Sequence, residues 1–212
     1  MSNEIKKFIT NTLPAEIPIQ QKADKIYNIE KAANINVTHV YTSNPSIDLG
    51  LATLDDRLNT NYYHLIVLGN AFDSIIVTIP KERALSSHYT DEKIRNKFVE
   101  LTQENISELL KYPVLITTEC SDYYAKADNE QIAYVGKIEK IRTEPQGIKL
   151  KLKLELSKPI LLQKICSLGF ELNLLNMDIA ITELNHSHWA LKPVNLIQEL
   201  SDAGIDIKGS IF

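Results

Sequence analysis

The chain has 212 residues, 44% hydrophobic and 24% charged, so it is long enough for one large domain or two small ones with a sizeable core. A net charge of −4 excludes a protein that is basic overall, as dedicated DNA-coating domains usually are. No stretch nears the ~20 apolar residues of a membrane-spanning helix, and the N-terminus lacks the apolar core of a signal peptide. The two cysteines, Cys120 and Cys166, follow no zinc or redox spacing, which fits reduced thiols in a cytoplasm.

In chain order, the pattern predicts a short helix at 3–10, a helix at 22–33, a strand at 37–41, a turn at Ser43-Asn-Pro-Ser46 and a helix at 49–58. Two apolar runs of strand length follow, at 63–68 and 74–79. They read as a hairpin with both arms central in a sheet, because each is apolar on both faces. A long helix is predicted from Asp91 to about Leu110, with Thr90 as its N-cap and Ile94, Phe98, Leu101 and Leu109 as its buried stripe. Pro113 ends it. A strand at 114–118 and a polar loop at 119–130 come next.

Residues 132–142 and 148–156 then read as a second hairpin around Glu144-Pro-Gln-Gly147. In its first arm Val135, Ile138 and Ile141 are spaced by three, which predicts a bulge near Gly136 and a sheet that curls. Its second arm alternates strictly, with Ile148, Leu150, Leu152, Leu154 and Leu156 facing inward and lysines outward. A helix at 160–167 stops at Gly169, residues 170–181 fit helix or strand, and a last helix at 193–203 runs from Pro193 to the exit at Gly204. The expected fold is α+β. A mainly antiparallel sheet with a long central helix (1–112) is followed by a small curled, barrel-like sheet with C-terminal helices (113–212), the two parts being able to pack as one domain. Abundant Ile, Asn and Lys with few Gly suggest a bacterial source with an AT-rich genome.

Charge is distributed unevenly. Residues 131–165 carry eight basic and three acidic side chains, a net +5 inside an acidic chain. Lys149, Lys151 and Lys153 share one face of the second arm, and Lys137, Lys140 and Arg142 lie on the first. Such lysines protect an exposed strand edge from pairing, and they can equally form a face for an anionic partner, nucleic acid or an acidic protein surface. The pairs Tyr62-Tyr63 and Tyr123-Tyr124 offer stacking surfaces, but acidic neighbours make Tyr123 and Tyr124 better suited to a protein or small-ligand contact.

Catalytic patterns are weak. In Asn185-His-Ser-His-Trp189, His186 and His188 would face the same way on a strand, and Glu183 or Asp178 would have to complete a metal site. The full spacing is missing, so no metal and no cofactor is expected. Trp189 is expected to anchor the final helix. Cys120 lacks the flanks of a catalytic thiol, Cys166 fits a core position, and Asp55-Asp56 fits a solvated helix face. No phosphate-binding glycine loop is present. These readings favour a non-catalytic cytoplasmic binding or adaptor module with a basic hairpin face. The alternatives are a hydrolase with a site near His186 and His188, or a small-ligand sensor with a pocket between the two halves.

Overall fold

A computed structural model describes residues 58–69 and 75–207. The expected helices at 3–10 and 22–33, the strand at 37–41, the turn at 43–46 and nearly all of the helix at 49–58 lie outside these residues. The elements are β1 (Tyr63–Leu68), β2 (Ile76–Ile79), α1 (Glu92–Phe98), α2 (Gln103–Leu109), β3 (Pro113–Thr118), β4 (Ile132–Glu144), β5 (Gly147–Leu154), β6 (Ile160–Leu161), α3 (Leu162–Ser167), β7 (His188–Lys192) and α4 (Leu196–Asp202). The fold is α+β. One sheet runs in the order β2-β5-β4-β3-β1-β7, with β6 beside β4. Strands from either side of residue 112 are therefore hydrogen-bonded neighbours. All pairs are antiparallel except β1 with β3.

Several expectations are corrected. The runs at 63–68 and 74–79 do not form a hairpin: β1 sits between β3 and β7, while β2 pairs with β5. Only β1 is buried along its length; Ile76 and Thr78 of β2 are exposed. The long helix is two short ones. Leu101 adopts a left-handed φ of 44°, and Thr102 caps α2 by accepting from Asn105 N at 3.2 Å, so the chain breaks and restarts there. Asp91, not Thr90, caps α1, through Lys93 N and Ile94 N; Thr90 Oγ1 instead accepts from Leu191 N of β7. Among the described residues the sheet is an open path and not a small barrel. Its register shift falls at Glu139, between Ile138 and Lys140. Gly136 answers a different need: a Cβ there would lie 2.3 Å from Lys153 O.

Strand alternation divides the core between the two faces. On one face Ile66, Val114, Ile116, Ile138, Ile141, Leu150, Leu152 and Trp189 pack with Phe98 of α1 and Leu109 of α2. On the other, Tyr63, Leu65, Leu115, Val135 and Ala190 pack with Leu162 and Ile165 of α3 and Leu196 and Leu200 of α4. Trp189 thus lies on the face opposite α4 and does not anchor it. Its indole N–H donates to His64 Nδ1 at 3.0 Å, and His64 Nε2–H reaches Leu109 O at 2.9 Å. Among the described residues, no helix is long and apolar enough to cross a membrane.

Candidate functional site

Past Val135, the α3/α4 face of β4 and β5 carries cations in place of apolar residues. Lys137, Lys140 and Arg142 of β4 stand there directly opposite Lys153, Lys151 and Lys149 of β5. The register shift allows this. By skipping one residue of β4 it keeps Ile138 and Ile141 on the buried face and aligns Lys140 and Arg142 with the β5 lysines. On the far side of β5, Thr78 and Ile76 lie opposite Lys149 and Lys151. Because β5 is flanked by both β4 and β2, these lysines do not guard a free edge along 148–151, and the edge-protection reading fails there. Ile148, Leu150 and Leu152 are buried, whereas Leu156 lies beyond the strand and is 58% exposed.

Like charges opposite one another across antiparallel strands destabilise a sheet. Three consecutive cation pairs are only partly relieved. Lys151 Nζ lies 2.9 Å from Glu139 and Lys149 Nζ lies 3.5 Å from Glu144; hydrogen bonding from Lys151 holds the Glu139 carboxyl below its usual range. Six cations against two carboxylates leave the face at net +4. Tyr123 and Tyr124 are each 60% exposed but sit in the loop after β3, beside the opposite end of β4. The structure does not join them to the cations.

A second feature lies at the carboxyl ends of the parallel strands β1 and β3, a position where open sheets commonly leave a crevice. A cleft of about 440 Å³ is lined there by Glu82, Arg83, Ser86, His88, Tyr89, Glu119, His186, Ser187 and His188. Behind it, Glu183 is fully buried. Lys192 Nζ lies 2.8 Å from both of its oxygens, and Leu175 N donates to it at 2.7 Å. His188 Nε2 lies 3.1 Å from Glu183 Oε1, and its Nδ1 lies 2.7 Å from His186 O. Both ring nitrogens face oxygen acceptors, so the ring is held from both sides. Burial pulls the Lys192 ammonium below its usual value, against the opposing attraction of Glu183. Burial and then Glu183 push the Tyr63 hydroxyl well above its own.

His186 and His188 therefore do not form a matched pair. His188 is buried and engaged with Glu183, while His186 is exposed and lies face-on to Tyr89 at 6.3 Å between ring centroids. Among the described residues, no group of three His, Cys, Asp or Glu side chains is placed to hold a metal ion. Arg83, which donates to Ser187 Oγ, and His88 and Tyr89 had no local sequence signal as site residues. They line the cleft through contacts that only the tertiary structure makes. Compared with known proteins, the chain matches no family model, no curated protein and no solved structure.

Proposed function

We propose that this chain is a non-catalytic binding module whose cationic β4–β5 face takes the phosphate backbone of a nucleic acid. The observation that carries the reading is the set of three cross-strand cation pairs, Lys137/Lys153, Lys140/Lys151 and Arg142/Lys149. Their mutual repulsion is a cost to the sheet that an anionic partner removes. The face lacks interleaved aromatic rings, so contacts would go to phosphates and depend little on sequence. With about four phosphates neutralised, log affinity should fall against log salt with a slope of about −3 to −4.

The test is a titration with mixed-sequence RNA and duplex DNA at low and moderate salt. Lys140, Arg142 and Lys153 are the residues to reverse to Glu, because Lys149 and Lys151 already engage carboxylates. The triple variant should lose binding and keep its circular dichroism spectrum. Equal binding by the folded variant, or no binding by wild type at low salt, refutes the reading; binding to an acidic protein instead assigns the face to a protein partner.

A second reading, a small-ligand sensor, is favoured by the polar cleft at the strand ends. If correct, a screen of small polar metabolites should raise the melting temperature of wild type but not of the His186→Ala/Arg83→Ala variant. A hit that stabilises both proteins equally counts against it.

A further inference from the structure

The only two cysteines of the chain are 46 positions apart and arrive on different elements, Cys120 just after β3 and Cys166 on α3. The fold brings their sulfurs to 3.7 Å within one apolar cluster. Both are free thiols, 7% and 8% exposed. Their Sγ atoms need approach by less than 2 Å to reach the ~2.05 Å of a disulfide.

We propose that Cys120 and Cys166 are a peroxide-responsive thiol pair that closes to an intramolecular disulfide. The hydrogen bond from Cys166 draws the Cys120 thiol below its ordinary value, while the same bond, burial and the charge on Cys120 raise that of Cys166. In the proposed sequence Cys120, on the loop after β3, is the attacking sulfur and Cys166, on α3, the resolving one. The Cys120 thiolate attacks one oxygen of hydrogen peroxide. The O–O bond breaks, hydroxide leaves and takes up a proton, and Cys120 becomes a sulfenic acid. The Cys166 sulfur then attacks the Cys120 sulfur, the S–O bond breaks and the second oxygen leaves as water. Two thiols lose two electrons and two protons, and one peroxide becomes two waters.

The cross-link has a structural consequence. Cys120 N donates to Leu184 O at 2.8 Å, and Asn185 Nδ2 donates to Cys120 O at 3.3 Å. Cys120 thus holds the single turn Glu183–Asn185 that presents Glu183 to His188 and leads into His186. Oxidation ties α3 to this turn, so the redox state of the pair reaches the wall of the histidine cleft.

The experiment treats the folded wild-type chain with hydrogen peroxide while Trp189 fluorescence remains native. Thiols are counted, and peptides are mapped by mass spectrometry without reduction. The expected result is loss of both free thiols, a Cys120–Cys166 peptide lighter by two hydrogens, no dimer on a non-reducing gel, and recovery of both thiols with dithiothreitol. Cys166→Ser should instead accumulate a Cys120 sulfenic acid trapped by dimedone. Both thiols surviving in the folded protein, sulfinic or sulfonic acids without a cross-link, or disulfides only between chains would each overturn the proposal.

Discussion

Acidification should unlock the core at His64. This histidine is fully buried, donates from Nε2 to Leu109 O and accepts the Trp189 indole N–H at Nδ1. Burial lowers its pKa from 6.5 to about 4, against the weaker upward pull of the Leu109 carbonyl. Between these values the folded state binds fewer protons than the unfolded state, so stability rises with pH and is lost on acidification. Linkage between 6.5 and about 4 gives a loss of roughly 2 kcal/mol from pH 7 to pH 5, and about 3 kcal/mol by pH 4. A protonated Nδ1 would also face the indole N–H, setting donor against donor. Urea unfolding at pH 7 and pH 5, followed by Trp189 fluorescence and circular dichroism, measures this. His64→Gln is the control, because its amide keeps one donor and one acceptor without titrating. The stability difference between wild type and variant should shrink by about 2 kcal/mol between the two pH values. Parallel losses in the two proteins would refute the assignment.

Other outcomes follow from buried polar groups and close backbone approaches. Glu183→Leu strands the Lys192 charge in the core and should cost about 3–5 kcal/mol, lowering the melting temperature by roughly 6–20 °C; adding Lys192→Met should recover much of this, and an unchanged melting curve for the single variant contradicts the pairing. Gly136→Ala places a Cβ 2.3 Å from the Lys153 carbonyl oxygen and should destabilise by about 1–3 kcal/mol in chemical denaturation. Gly204→Ala meets no atom within 4 Å and bears only the strain of φ 73°, so its cost should be the smaller of the two. Closing a disulfide across the 46-position span between Cys120 and Cys166 should stabilise the oxidised protein by about 4 kcal/mol, read as the difference in urea unfolding between oxidised and reduced forms.

What the sequence by itself determined is local. Period-two alternation placed Ile148, Leu150 and Leu152 inward and Lys149, Lys151 and Lys153 outward, because side-chain direction along a strand needs no partner to be known. The turn at Glu144–Gly147 joins β4 to β5 as its residues indicate. Partners were not legible. The run at 63–68 pairs in parallel with β3 and antiparallel with β7, with partners 50 to 129 positions away, and nothing in its own residues distinguishes those neighbours from the adjacent run at 74–79. The break at Leu101 was hidden because the apolar spacing continues across it, while a capping threonine looks like any other polar position until the backbone turns. Above all, the tertiary structure decided which polar residues meet. Lys140 faces Lys151 because one skipped residue in β4 sets the register, and Cys120 meets Cys166 across 46 positions of chain. Those are long-range choices, made by how the whole sheet buries two apolar faces at once.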